Sequence, residues 1–357
     1  MNVERLTGDL LEGLVRAAKV PGVQYVVVDD AGAVFEYAGG SADLAAGRAM
    51  TSATSMMAYS MSKTVTAAAV LQLADAKRLA LDDPIDKYVE SPYGPGITVR
   101  ELLSHTSGIP NPIPLRWVHP AAQHATFDER AALADVLRRH SKLSSAPGTK
   151  YAYSNIGYWL LGSLVEHVSG EPFTAYVASH VFRVLGVEQE LAYEIRNPAD
   201  HAGGYLERFS LMNLVKGWLI DSALVGGYEG GRWLRIADHY PNGPAFGGIV
   251  GTARGFAAFL QDQLRPHSRL FGDATRSLFY EPQRTRDGRS IAMTPGWHVG
   301  SVNGDRFFYK EGGGGGFHCM MRLYPATRLA AVVMTNATGF DVRRLMDTID
   351  PKLQPVS

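Results

Sequence analysis

A chain of 357 residues is long for one small domain and suits one large domain or two fused ones, and folding at this size removes roughly 75% of the extended surface from water. With 46% apolar residues, and 35 basic side chains balancing 35 acidic ones, the composition excludes disorder as the main theme and argues against a nucleic-acid partner held by charge. The single cysteine, Cys319, excludes an internal disulfide and a cysteine-rich zinc site.

Leu6, Leu10, Leu11, Leu14 and Val15 recur at helical spacing, which predicts an amphipathic helix ended by Pro21-Gly22. No charged segment leads into a long apolar one, so no signal peptide is read and a cytoplasmic protein is expected. No apolar run approaches the roughly 20 residues of a bilayer span, so no membrane partner is expected. Residues 23–28 are β-branched and read as a strand, with a turn at 29–32 and a return strand at 34–37. Residues 60–76 are apolar nearly all round and read as a buried helix. From about 81 to about 205 helical periods dominate, with helices predicted at 99–104, 127–140, 156–169 and 173–185. Strand patterns return at 306–309, 317–324 and 329–335, before an amphipathic helix at 342–349. This order predicts an α+β fold, with one antiparallel sheet built from both chain ends and flanked by helices. Residues 1–80 and 245–357 would form that sandwich domain, and residues 81–244 a mainly helical inserted domain.

Three short motifs carry chemistry. In Ser60-Met61-Ser62-Lys63 the serine and lysine are one turn apart at a helix start, where free N–H groups and the helix dipole suit a developing anion. A lysine beside a serine takes its proton if burial or a neighbouring cation lowers the lysine's pKa. The plain alternative is a capping serine and a solvated lysine, yet a lysine in the most apolar helix of the chain is costly to bury without a task. In Tyr153-Ser154-Asn155 the phenol, held as phenolate by nearby ammonium groups, is a candidate base and proton relay. The asparagine can hold a lysine and a substrate carbonyl together; the alternative is a packed tyrosine and a helix cap. Tyr240-Pro241-Asn242 repeats the short pattern and reads as a turn. In Lys310-Glu311-Gly312-Gly313 a lysine at a strand edge can bind a carboxylate or tune the tyrosine, and the glycines admit substrate and offer an oxyanion N–H. The alternative is an exposed lysine before a flexible loop.

Together, in this order, the three motifs make the chain resemble the serine β-lactamase-like superfamily, near class C β-lactamases, DD-peptidases and short-chain esterases. Further landmarks are Pro21-Gly22, Leu81-Asp82-Asp83-Pro84, the stretch 97–109, Pro147-Gly148 and the stretch 247–253. The resemblance implies a β-lactamase/transpeptidase-like fold with Ser60 as acylated nucleophile, Lys63 as its activator and Tyr153 as base and acid. It implies Asn155, Lys310, Gly312 and Gly313 as substrate-binding residues, with the N–H groups of Ser60 and Gly313 forming an oxyanion hole. It implies no cofactor and no metal, and the eleven histidines show no metal-ligand spacing. His105 is expected to hold a loop, His318 to line the pocket and Cys319 to sit in the core.

Two departures stand out. Glu311 replaces a hydroxyl residue, where an acid could pair with Lys310 and weaken its grip on an anionic substrate or equally suit a neutral ester or amide, and Tyr59 replaces a glycine and narrows the site. The expected activity is a serine carboxylesterase on small esters or amides. A β-lactamase or DD-peptidase/D-aminopeptidase is the rival reading, and an idle scaffold on the same fold is another.

Overall fold

The computed structural model describes residues 3–112, 117–214, 216–219, 221–302 and 304–353. Its centre is an eight-stranded antiparallel sheet in the order Met293–Thr294, Trp297–Val302, Asp305–Gly313, His318–Tyr324, Leu329–Thr335, Gly22–Val28, Ala33–Asp43, Arg48–Ala49. The strand Gly22–Val28 pairs with Leu329–Thr335 from Val23↔Thr335 to Val28↔Ala330, so the two chain ends close one sheet. Every residue of both strands is buried, because helices cover both faces. Side chains alternate between those faces. Val23, Tyr25 and Val27 meet the terminal helices Val3–Arg16 and Val342–Leu353, through Leu11, Val342 and Met346. Val26 and Val28 face the large core with Phe256 and Leu260 of the helix Ala253–Leu264.

The helix read at 60–76 begins as a 3₁₀ turn, Tyr59–Met61, and continues as Ser62–Asp75. It is buried on all sides, and its alanines let the helix Asn155–Ser169 pack closely. Ser154 caps that second helix by accepting from Gly157 N at 3.1 Å, and Thr98 with Glu101 forms a capping box at Val99–Leu103.

Most sequence-predicted elements are present with shifted ends. Residues 127–140 yield the helix Glu129–Arg139, and residues 306–309 lengthen into Asp305–Gly313. The stretch 173–185 is not one α-helix: a π-turn, Ala178–Phe182, separates Phe173–Val177 from Arg183–Leu185. The segment between 81 and 244 also holds strands. Gly204–Glu207, Trp233–Ile236 and Val225–Glu229 join Ala337–Thr338 in a four-stranded sheet. Tyr240-Pro241 is no turn: the strand His239–Pro241 pairs with Val118–Pro120, with Tyr240 opposite His119. Among the described residues no helix is long and apolar enough to cross a membrane.

Candidate active site

Ser60 follows a forced backbone bend. Met56–Met57 pairs with Val250–Gly251, Ala58 N donates to Ile249 O, and the chain then turns through Tyr59 at φ +43. A left-handed tyrosine stores strain on the order of 1–3 kcal/mol, held by its surroundings. The helix that follows brings Lys63 Nζ to 3.0 Å from Ser60 Oγ, with a second bond from Nζ to Phe246 O at 2.7 Å. Lys63 is fully buried, within 5.0 Å of the Tyr153 ring centre and 5.5 Å of that of Phe246. Burial, and after it the charge of Lys310, hold its pKa well below the usual lysine range.

Tyr153 Oη stands 2.8 Å from Ser60 Oγ, so phenol and lysine meet the same hydroxyl. His105, itself at φ +57, fixes this loop: its Nδ1 accepts from Ser154 N at 3.1 Å, its carbonyl accepts from Ala152 N at 2.7 Å, and its ring lies 4.4 Å from that of Tyr153, tilted by 36°. His105 is thus a loop-holding residue, as expected. The charge balance at Tyr153 is the reverse of the sequence expectation. Burial raises its pKa, outweighing the Ser60 hydrogen bond that lowers it. The two lysines do not hold a phenolate, because they are themselves pushed toward the neutral amine and lie over the ring, Lys310 Nζ 5.3 Å from its centre.

Lys310 is also fully buried, and burial lowers its pKa to about 7. Its Nζ has no hydrogen-bond partner among the described residues. Glu311 does not pair with it. Adjacent strand residues point to opposite faces, and Glu311 instead binds His318 Nε2 at 2.8 Å and Arg343 at 2.9 Å. His318, expected at the pocket, is turned to Glu311 and to Phe340 O. Cys319 lies in the core with Sγ 3.1 Å from Ala58 O. Gly312 passes so close to the serine that a Cβ there would lie 2.1 Å from Ala58 O and 3.0 Å from Ser60 N.

These residues border a cavity of about 260 Å³. Ser60, Tyr153, Asn155 and Gly313 line it, while Lys63, Lys310 and Gly312 lie behind its surface. Its walls are Trp117, Val118, Leu224, Ile236 and Phe246, with polar points at Asn111, Tyr59 and His239. No charged lysine, arginine, aspartate or glutamate side chain lines it among the described residues. Asn155 does not hold a lysine: its backbone N and Nδ2 both donate to Asn111 Oδ1 at 3.0 Å. Asn111, Trp117 and His239 lie outside every motif, and nothing in the sequence marks them except their polar or aromatic type in Pro-rich stretches. A wider depression of about 1160 Å³, bordered by Arg265 and Arg306, contains none of the motif residues.

A family profile described as Beta-lactamase matches residues 8–352. Penicillin-binding protein 4* of Bacillus subtilis is 23% identical over 281 residues, 78% of this chain and 59% of that protein. A D-aminopeptidase of Cereibacter sphaeroides is 30% identical over 197 residues, 55% of this chain and 38% of that protein. The chain spans about half the length of the curated relatives it matches. The structure of a D-amino acid amidase from Ochrobactrum anthropi SV3, complexed with D-phenylalanine, superposes with a TM-score of 0.78 at 21% identity, covering 99% of both chains. With its profile matched nearly end to end, the chain belongs to the Beta-lactamase family of the serine β-lactamase-like superfamily, whose members and neighbours are serine hydrolases.

Proposed function

We propose that this protein hydrolyses small, uncharged carboxylic esters or amides through an acyl-enzyme on Ser60. The observation that carries this reading is a neutral, mostly apolar cavity with Ser60 Oγ at its floor, bonded to both Lys63 and Tyr153.

Lys63, biased toward the free amine, keeps one N–H on Phe246 O and offers its lone pair to the Ser60 proton. Ser60 Oγ then bonds to the substrate carbonyl carbon, and the oxyanion forms against the N–H groups of Ser60 and Gly313. Tyr153 holds its proton, which suits an acid rather than a base. It passes that proton to the departing alkoxide or amine, which leaves a phenolate beside the Lys63 ammonium in the acyl-enzyme. In deacylation the phenolate takes a proton from the attacking water and the Lys63 ammonium returns one to Ser60 Oγ as it leaves the acyl carbon, which restores both groups. Lys310 stands behind Tyr153, where in its ammonium form its charge adds to burial in lowering the Lys63 pKa, and it does not reach the cavity to grip a substrate carboxylate.

The cavity lies below the roughly 300–1,000 Å³ of drug-sized sites, which favours a short acyl group. The likeness to a D-aminopeptidase and a D-amino acid amidase favours a second reading, in which the acyl group is a D-aminoacyl amide. The uncharged lining ranks that reading second, because a substrate ammonium meets no carboxylate there among the described residues. Comparing kcat/KM on p-nitrophenyl butyrate, D-alanine p-nitroanilide and a chromogenic cephalosporin decides between them. The ester is expected to be fastest and the cephalosporin slowest. Preference for the D-aminoacyl anilide overturns the ranking, and no turnover of any of the three, with Ser60 inert to fluorophosphonate, leaves an idle scaffold.

A further inference from the structure

Tyr59 presents a hydrogen-bond conflict. Its Oη stands 2.7 Å from Gly315 O and 3.0 Å from His239 Nε2. His239 Nδ1 stands 2.8 Å from Ala237 O, and a carbonyl only accepts, so Nδ1 carries a proton. In the neutral imidazole Nε2 is therefore bare, and the single phenol proton faces two acceptors. One acceptor is left unpaired in a place where Tyr59 and His239 are only 6% and 4% exposed. A second proton on His239 resolves the conflict. Nε2–H then donates to Tyr59 Oη, Tyr59 O–H donates to Gly315 O, and the chain from Ala237 to Gly315 is fully paired.

The glycine run is shaped to this pair. A Cβ at Gly314 would lie 2.5 Å from the Tyr59 ring, and one at Gly315 would lie 3.1 Å from the His239 ring. Tyr59 is covalently joined to Ser60, and Gly315 is two residues from Gly313. One hydroxyl thus ties together the two backbone segments that carry the oxyanion N–H groups.

We propose that Tyr59 and His239 form a proton-linked latch that seats the glycine run against the nucleophile segment, closing when His239 takes up its second proton. The pair acts as positioning residues for the reaction proposed above, and the inference rests on that reading for its effect on rate.

The surroundings set the pH at which the latch works. Burial lowers the His239 pKa, while the Ala237 carbonyl and the adjacent Asp238 carboxylate raise it. Asp238 is itself 3.6 Å from Arg235. His119, on the paired strand, and His201 both feel the His239 charge. Latching therefore strengthens as pH falls below the ordinary histidine range.

Hydrolysis of a short ester by wild type, Tyr59→Phe and His239→Gln across about pH 5 to pH 8 tests this. The wild-type to Tyr59→Phe ratio of kcat is expected to grow about tenfold toward the acid end, the worth of one buried hydrogen bond, with KM nearly constant. His239→Gln carries an amide donor at every pH, so its Tyr59→Phe penalty is expected to be as large near pH 8 as the wild-type penalty is near pH 5. A wild-type to Tyr59→Phe ratio that does not change with pH overturns the latch. A second measurement needs no turnover: in Ser60→Ala, which keeps both latch residues, the ¹⁵N resonances of His239 and the Gly313–Gly316 amides are followed against pH. The amides are expected to titrate with the imidazole. Glycine amides that ignore the His239 titration overturn the proposal even if Ser60 proves catalytic, and co-titration upholds it even if the substrate reading fails.

Discussion

Replacing Gly312 by alanine tests how closely the third motif is fitted to the nucleophile. The new Cβ would lie 2.1 Å from Ala58 O, whereas real Cβ atoms essentially never come within 3.0 Å of a neighbour. The nearest obstacle is the backbone carbonyl of Ala58, with Ser60 N and the buried Cys319 Sγ both at 3.0 Å, so moving a side chain does not relieve the clash. The strand Asp305–Gly313 and the Tyr59–Met61 turn must part by about 1 Å. A displacement of that size at a reacting centre costs about 10²-fold in rate. Overpacking of this kind destabilises by about 1–3 kcal/mol, small enough for the sheet to remain folded. Steady-state kcat on a short p-nitrophenyl ester, paired with a thermal melt, reads both effects. The expected result is a cooperative melt lowered by several degrees and a kcat reduced about 10²-fold. A kcat close to wild type shows that the Gly312–Ser60 fit does not set the catalytic geometry.

Tyr153→Phe is expected to lower kcat by about 10²–10⁴ while the fold survives, because the ring keeps its contact with His105; near-normal kcat would make Tyr153 a packing residue. Lys310→Met removes the positive neighbour that depresses the Lys63 pKa, so Lys63 protonates at higher pH and the acidic limb of the kcat/KM profile moves upward; an unmoved limb contradicts Lys63 as base. Glu129 accepts from Trp159 Nε1 at 2.9 Å, and burial lifts its pKa from 4.5 to about 7, so the folded state binds a proton the unfolded chain releases. Stability from this group is full below about pH 4.5 and is lost as pH rises toward 7, by about 1–2 kcal/mol after allowance for partial exposure; melts of Glu129→Gln at rising pH are expected to lack that loss. Glu311 is held at about pKa 2 by His318 and Arg343, so Glu311→Gln is expected to lose about 1 kcal/mol near neutral pH. That loss shrinks below about pH 4.5, where the unfolded carboxylate protonates first, and is gone near pH 2, where the folded one does too, and catalysis stays intact; a shifted pH–rate profile would place Glu311 at the site after all.

Much of this fold is legible because its pattern is extreme. The strands Gly22–Val28 and Leu329–Thr335 are β-branched runs buried on both faces, and the helix Ser62–Asp75 is apolar all round, so no rival element suits them. The four residues from Trp233 to Ile236 and the pairing of His239–Pro241 with Val118–Pro120 are too short for a period to emerge. Their pairing is set by tertiary contacts. Motif spacing places Ser60, Lys63, Tyr153 and Lys310 together, but it does not carry orientation. That Glu311 faces Arg343 and not Lys310 follows from a strand running through Gly313, longer than its apolar core suggests. Neighbouring charge alone favours a Tyr153 phenolate, whereas the depth of burial, which no motif spacing carries, raises the phenol pKa. Asn111 reaches the cavity from a loop and His239 from a three-residue strand, both distant in sequence, where no local rule selects them.

The decisive measurement is the mass of the protein caught in mid-reaction. The intact chain is quenched within one turnover of a slow ester or after fluorophosphonate treatment, digested and mapped. The expected result is one acyl or phosphonyl group on Ser60, absent in Ser60→Ala and formed far more slowly in Lys63→Ala. An active preparation whose adduct falls on another residue, or that forms none while hydrolysing ester, contradicts a Ser60 acyl-enzyme.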